Sequence, residues 1–230
     1  MGRARKSASP GPSLEWEKKH GFPGRLIGGV DEVGRGCLAG PVVACALVLP
    51  LDCDPEHFEW LREVTDSKLL NEKKRERLAP LIQAWARAAV IGVAEVSEID
   101  TINIYHASHL AMKRAIEGLP AHLAGEYPAH VLVDGNVVPE GLPVAASAVI
   151  KGDLKCLSIA AASIVAKVYR DSLMKEMDGV YPGYSFSTHK GYGTPVHQRA
   201  LVQLGACAIH RRSFAPVAEV LSRLNLEPSV

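Results

Sequence analysis

Four acidic side chains stand at positions where short apolar segments of the chain end. They are Asp31, Glu32, Asp134 and Asp153. Open α/β sheets carry their functional sites at the ends of strands. If the apolar segments are strands of one sheet, we expect these four carboxylates to converge at its edge.

Carboxylates that converge repel one another unless a cation neutralises their charge. Oxygen ligands without paired His or Cys suit magnesium or manganese. Two such ions, roughly 3.5–4 Å apart, can activate a water and stabilise the leaving oxygen of a phosphodiester. Other interpretations stay open at this point, because each acid alone fits an ordinary strand-end cap equally well. The spacing also fits other hydrolases, including metal-dependent phosphatases.

Apolar periodicity predicts the elements that would position these acids. Strands are predicted at 26–31, 42–49, 90–96, 131–133 and 144–150, longer helices at 71–86, 97–119 and 154–177, and short helices at 14–20, 196–204 and 216–224. Helix 97–119 is expected to bury Ile102, Leu110 and Ala111. The alternation of strands and helices predicts an α/β domain. Its early hairpin makes the sheet mixed, with about five strands, flanking helices and a helical C-terminal segment.

Composition limits the class of protein. The 230 residues are 47% hydrophobic, which suits one domain with a sizeable core. We expect a flexible basic tail at 1–13 and a single domain at 14–230. No apolar run approaches the ~20 residues of a membrane span, and no signal peptide is evident, so a cytoplasmic protein is predicted. The net charge of +1 requires any nucleic-acid surface to be a local patch.

Residues 29–43 read GVDEVGRGCLAGPVV, which strongly resembles the N-terminal signature of ribonuclease HII. Further matches follow in the order of that family: DSK at 66–68, the stretch 99–115, DGN at 134–136, KGD at 151–153, AASIVAKVYRD at 161–171, HKGYGT at 189–194 and HRRSF at 210–214. The resemblance runs from about residue 14 to residue 214. It departs at Cys37, where proline is common, and at Leu69, which replaces a frequent lysine.

The resemblance implies a ribonuclease-H-like fold and an endonuclease of the ribonuclease H class. Its catalytic, metal-binding residues would be Asp31, Glu32, Asp134 and Asp153, with two manganese or magnesium ions. The implied substrates are RNA–DNA hybrids and duplex DNA with single embedded ribonucleotides. The enzyme would cut 5′ to the ribonucleotide and leave a 3′-hydroxyl, as in ribonucleotide excision repair and primer removal. A monomer is expected.

Two further segments have residue types suited to binding the substrate. The glycine loop, Gly34-Arg35-Gly36, would let backbone approach a ribose 2′-hydroxyl, and Arg35 would hold a phosphate. Tyr192 would stack on a sugar from its Gly-flanked loop. Lys68, Lys151 and Lys190 are candidate phosphate contacts, although each alone is more often a solvated lysine. A simple tight turn and a tyrosine that anchors its own loop are the alternatives.

Three alternative classes are weighed against this function. A ribonuclease HIII would carry an extra N-terminal domain, and only about 25 residues precede the first strand here. A nucleic-acid-binding module without activity would not need four convergent carboxylates. A metal-dependent phosphatase would not need the glycine loop or Tyr192.

Overall fold

The computed structural model describes residues 11–224; residues 1–10 and 225–230 lie outside the described part. Most of the predicted tail at 1–13 therefore lies outside it as well. Ser13, the last residue of that tail, forms an isolated parallel bridge with Cys156. The division of the chain after residue 13 stays a prediction. Among the described helices, none combines the length and apolar character that crossing a membrane requires.

A mixed sheet of five strands lies at the centre of the fold. The strands are β1 (Ile27–Val33), β2 (Val42–Val48), β3 (Ala88–Ala94), β4 (His130–Asp134) and β5 (Ala146–Val149). Their order across the sheet is β3-β2-β1-β4-β5. β1, β2 and β3 pair antiparallel, whereas β1, β4 and β5 pair parallel. The predicted mixed five-stranded sheet is confirmed, with β1 as its central strand.

Helices cover both faces of this sheet. The helices of the described part are α1 (Glu15–Lys19), α2 (Glu72–Trp85), α3 (Val96–Glu117), α4 (Leu157–Val180), α5 (Phe186–His189), α6 (Pro195–Leu204) and α7 (Ala215–Leu224). One apolar cluster lies between the sheet and α2 and α4, and a second lies between the sheet and α3. The last three helices form the predicted C-terminal segment.

The first turns of α4 pack directly on β1. Three consecutive residues of this helix, 160–162, are fully buried alanines. A Cβ added at Gly29 would stand 2.5 Å from the backbone of Ser158 and Ile159. The N-terminus of α4 is capped from α1, because Glu17 Oε1 accepts hydrogen bonds from the backbone N–H and hydroxyl of Ser158. Only small residues on both elements allow this approach.

Beyond small shifts at the ends of other elements, two differences from the predicted elements have a clear structural cause. The predicted strand 90–96 ends at Ala94, because the Glu98 carboxylate accepts the N–H of Glu95 and starts a helix at Val96. The predicted helix 97–119 is broken at Asn103, whose φ is +65°. The Asn103 side chain caps the segment that follows by accepting the N–H groups of residues 105 and 106. The break leaves Ile102 exposed, so its predicted burial is wrong.

Replacing Gly29 by alanine should destabilise the fold, because the added methyl group would force β1 and α4 apart. We expect the free energy of unfolding to fall by about 1–3 kcal/mol. Urea denaturation followed by circular dichroism measures this change. Gly179→Ala in α4 is the matched control, since a Cβ there meets nothing within 4 Å, and it should be neutral or stabilising. Equal effects of the two substitutions would contradict the close-packing explanation.

Candidate active site

The ends of the parallel strands bring three of the four predicted acids together. The register that pairs Val30 with Val133 sets Asp31 beside Asp134 at the carboxyl ends of β1 and β4. Asp153 follows β5 in a short 3-10 turn, Gly152–Leu154. One carboxylate oxygen from each of Asp31, Asp134 and Asp153 lies within 4.8 Å of the other two. We call these three residues the acid cluster.

Backbone hydrogen bonds orient two members of the acid cluster. Asp31 Oδ1 accepts the N–H of Glu32 at 2.8 Å, and Asp134 Oδ1 accepts the N–H of Gly152 at 2.7 Å. A Cβ at Gly152 would stand 2.5 Å from the Ile159 side chain. The turn after β5 therefore needs glycine to reach Asp134 and to bring its next residue, Asp153, into the cluster.

The acid cluster concentrates negative charge in a poorly solvated place. Burial, followed by the charges of Glu32 and Asp134, holds the pKa of Asp31 well above its usual range. Burial and the charge of Asp134 also raise the pKa of Asp153. Lys68 offsets part of this charge, with its ammonium 3.5 Å from a carboxylate oxygen of Asp153. An all-oxygen donor set with excess negative charge fits a hard divalent cation.

Glu32 is not one of the three acids whose carboxylate oxygens form the acid cluster. Successive side chains of a strand point to opposite faces, so Glu32 leaves β1 on the side opposite to Asp31. Its carboxylate accepts a hydrogen bond from Arg35 Nη1 at 3.4 Å. Burial raises the pKa of Glu32 to about 7, against the lowering effect of Arg35, and the charge of Asp134 adds to the rise. Glu32 is therefore close enough to Asp134 to interact electrostatically.

A cleft of about 250 Å³ opens beside the acid cluster. Its lining includes two of the acids and five of the seven predicted substrate-binding residues, without Lys151 and Lys190: Asp31, Glu32, Gly34, Arg35, Gly36, Lys68 and Tyr192. Lys167, to which the sequence assigns no role, also lines the cleft. Its ammonium lies 5.6 Å from the centroid of the Tyr192 ring. The predicted glycine loop and Tyr192 thus face one space.

Lys190 does not line this cleft. Its ammonium donates a hydrogen bond to the carbonyl of Ser187 and lies 3.7 Å from a carboxylate oxygen of Glu72. The backbone of Lys190 is left-handed, with φ +53°, and its carbonyl accepts a hydrogen bond from Arg170. In this conformation the side chain is largely buried. A role for Lys190 in binding phosphate stays a prediction.

Two fully buried arginines near the cleft have no role in the sequence interpretation. Arg170 donates hydrogen bonds to the carbonyls of Ala39 and Pro41, each at 3.0 Å. Arg211 donates to the carbonyls of Gly34 at 2.7 Å and Arg35 at 2.8 Å. Both arginines thus bind the backbone that follows β1. Arg170 follows the largely apolar first half of α4, and this position is the signal in the sequence that points to it.

A family model and individual relatives both match this chain to ribonuclease HII. The family model for Ribonuclease HII matches residues 28–217. The chain is 50% identical over 202 residues to a ribonuclease HII of Paracoccus denitrificans, covering 86% of this chain and 89% of the relative. It is 49% identical over 209 residues to a ribonuclease HII of Hyphomonas neptunium, covering 87% and 97%.

Two solved structures share the fold of this chain. The ribonuclease H2 from Pyrococcus horikoshii matches with a TM-score of 0.65 and 27% identity, covering 88% of this chain and all of that chain. The Bst ribonuclease HIII in complex with Mn²⁺ matches with a TM-score of 0.69 and 18% identity, covering 88% and 71%. These matches confirm the predicted ribonuclease-H-like fold.

The metal-free protein should lose stability as the pH rises from about 4.5 to about 7. The pKa of Glu32 is raised from 4.5 to about 7 in the folded state, so the folded protein holds a proton that the unfolded chain has already released. Across this window the free energy of unfolding should fall by up to about 1.4 kcal/mol per pH unit for this group. Asp31, whose pKa is raised too, acts in the same direction.

Urea denaturation with EDTA at pH 5, 6, 7 and 8 measures this dependence. Glu32→Gln removes one titrating group and should flatten the slope, whereas adding manganese at pH 8 should restore stability. A Glu32→Gln variant with the slope of the parent protein would contradict the assigned pKa.

Proposed function

Since this chain belongs to the ribonuclease HII family and is a ribonuclease H that acts on RNA–DNA, we propose that it cuts 5′ to ribonucleotides. The proposed substrates are hybrids and duplex DNA that carries a single ribonucleotide. Cleavage would leave a 3′-hydroxyl and a 5′-phosphate, and would serve ribonucleotide excision repair and primer removal. The observation that carries this proposal is the acid cluster beside a cleft lined by the glycine loop and Tyr192. A cytoplasmic monomer stays the expectation.

The proposed metal ligands are the acid cluster and Glu32. Their oxygen-only donor set supports magnesium or manganese as the cofactor. When bound, two such ions would supply an activated water for in-line attack on the scissile phosphate and would stabilise the departing oxygen. Asp31 belongs to the central strand and has Asp134 and Asp153 beside it, which favours it as the shared ligand.

Positive side chains of the cleft would hold the phosphates of the substrate. Lys68 is turned toward Asp153 and Asp66, at 3.5 and 3.8 Å. The charges of Asp66 and Asp31 raise its pKa despite the opposing effect of burial, so its ammonium stays protonated. Arg35, which lies beside Glu32 at the other side of the cleft, would hold a second phosphate by its guanidinium.

The glycine loop and Tyr192 would recognise the ribonucleotide. Only the 2′-hydroxyl distinguishes one ribose from the deoxyriboses around it. Backbone of residues 34–36 would contact that hydroxyl, because glycine allows a close approach. The half-exposed ring of Tyr192 would stack on the neighbouring deoxyribose and so sense the RNA-to-DNA junction.

Asp31→Asn should lower the cleavage rate by roughly 100-fold or more, because the side chain loses the charge that holds the cations. The assay follows cleavage of a duplex with one ribonucleotide in manganese buffer. The fold should be unharmed, since the change removes a buried charge that burial and neighbouring acids already disfavour. Asp52→Asn, at an exposed loop position, is the control and should cut normally. Near-normal turnover by the Asp31 variant would refute the assignment.

The same assay separates the competing classes. A binding module without activity would retain the duplex and leave both strands whole. A phosphatase would release phosphate from small esters and leave the duplex intact. The proposed enzyme gives one break, on the 5′ side of the ribonucleotide.

Tyr192→Ala should lower cleavage at a single ribonucleotide by roughly 5- to 150-fold, since an aromatic stacking contact is worth about 1–3 kcal/mol. A uniform hybrid offers no deoxyribose neighbour, so its cleavage by the variant should fall less. Gly34→Ala should impair both substrates, because its φ is +97° and a Cβ would stand 2.2 Å from Arg170 Nε. Equal losses on both substrates for the tyrosine variant would mean that Tyr192 orders its loop and does not sense the junction.

A further inference from the structure

Two consecutive residues of the C-terminal segment bind, directly or through one neighbour, the two loops that line the cleft. His210 and Arg211 lie between α6 and α7, and both are fully buried. Arg211 reaches the glycine loop. His210 reaches, through His197 of α6, the tyrosine loop, which we define as residues 189–194. The tyrosine loop also binds the segment that follows the glycine loop, since the N–H of Leu38 donates to the carbonyl of Gly191 at 2.8 Å.

The Arg211 guanidinium binds three backbone carbonyls after β1. Its Nη2 donates to Gly34 at 2.7 Å, its Nη1 to Arg35 at 2.8 Å and its Nε to Gly40 at 2.9 Å. Burial lowers its pKa to about 10, so the group stays charged at neutral pH. The two terminal nitrogens of this planar, charged group each donate to one carbonyl of the glycine loop. They therefore fix the orientation of two successive peptide planes.

That orientation decides what the glycine loop presents to the cleft. In a trans peptide, the carbonyl and the following N–H point in opposite directions. Because the carbonyls of Gly34 and Arg35 point to Arg211, the N–H groups of Arg35 and Gly36 are directed away from it, and these residues line the cleft. These are the donors that a ribose hydroxyl or a phosphate oxygen would accept from.

His197 and His210 form a relay that ends on Tyr192. His197 Nδ1 lies 3.0 Å from the Tyr192 carbonyl, which can only accept, so Nδ1 carries the proton. In the neutral ring Nε2 is then an acceptor, and His210 Nε2 donates to it at 3.0 Å. His210 Nδ1 in turn accepts the N–H of Cys207 at 3.0 Å. Each ring nitrogen of the histidine relay thus has a partner of the right kind, and the Cys207 thiol also lies 3.1 Å from His210 Nδ1.

The tyrosine loop depends on this relay for its place. His189 stacks on His197, with ring centroids 4.4 Å apart, and its Nδ1 accepts the N–H of Gly191 at 3.2 Å. Buried imidazoles on both sides therefore bind the backbone around Tyr192. An antiparallel bridge between Cys37 and Tyr192 also joins this backbone to the segment that follows the glycine loop.

We infer that Arg211 and the histidine relay are positioning residues for ribonucleotide recognition. Arg211 sets the N–H donors of the glycine loop, and the relay sets the tyrosine ring that faces the neighbouring sugar. This inference rests on the proposed function, in which these two loops recognise the ribonucleotide. It assigns the C-terminal segment a part in substrate specificity although that segment contributes no acid to the cluster.

The test compares cleavage of a one-ribonucleotide duplex with cleavage of a uniform hybrid, as kcat/KM in manganese buffer. His197→Phe keeps a buried ring and removes the donor to Tyr192. It should lower the ratio of the two activities by roughly 10-fold, since small misplacements of a contact group have effects of this order or larger. His197→Asn keeps an N–H donor near the position of Nδ1 and should retain a ratio within about 2-fold of the parent protein.

Two controls separate positioning from general loss of packing. Phe186→Leu opens space beside His197, whose ring lies 5.4 Å away, and should lower the thermal midpoint while leaving the ratio unchanged. In a Tyr192→Ala background, His197→Phe should lower the ratio no further, because both changes act through one side chain. An additive loss in the double variant would overturn the inference for the relay. If His197→Phe does not fold, His210→Leu removes the same relay from its other end.

Arg211→Lys tests the other loop. Lysine keeps the charge but lacks the forked donor geometry of the guanidinium. The kcat/KM for each substrate should therefore fall by roughly 10-fold through a higher KM, and the ratio of the two activities should stay unchanged. Normal activity of a folded Arg211→Lys variant would overturn this half of the inference. If the parent protein does not cut the one-ribonucleotide duplex, the proposed function fails. If it cuts, and Tyr192→Ala lowers the ratio while folded His197→Phe does not, the relay inference alone fails.

Discussion

The close contact between α4 and β1 is the constraint on which the rest of the molecule depends. At Gly29 the backbone of α4 lies so close to β1 that a single added methyl group would collide with it. From that contact α4 runs past the cleft. There the Ser163 hydroxyl accepts the N–H of Ser67 at 3.3 Å, beside Lys68, and Arg170 binds the backbone after β1. A wider separation of helix and strand would therefore displace Lys68 and the loops as well as the core.

The buried acids and the buried arginines near the cleft have different kinds of partner. The acids have few cationic partners and repel one another, which leaves them available to divalent cations. The buried arginines bind carbonyl oxygens, whose hydrogen bonds offset the cost of burying a guanidinium. Had Arg170 or Arg211 paired with the acid cluster, the charge that attracts cations would have been cancelled. Because the guanidinium groups bind carbonyls, they do not pair with the nearby carboxylates of the acid cluster.

Much of the sheet and the positions of the acids could be predicted, because apolar runs mark the strands and the acids end those runs. The convergence of Asp31 and Asp134 follows from the parallel pairing of two such runs. Local patterns could not give the break at Asn103, which depends on a side chain that caps its own helix. Nor could they give the partners of Arg211, since backbone carbonyls carry no sequence signal and Gly34 lies 177 positions away.

That separation has a consequence for how the protein becomes active during its synthesis. The chain leaves the ribosome from its N-terminus, so all five strands and α4 emerge before His210 and Arg211. The sheet and its acids can assemble at that stage. The glycine loop and the tyrosine loop gain their guanidinium and imidazole partners only later, after α6 has been made. A nascent chain can therefore carry the acid cluster before the two loops beside the cleft are held in place.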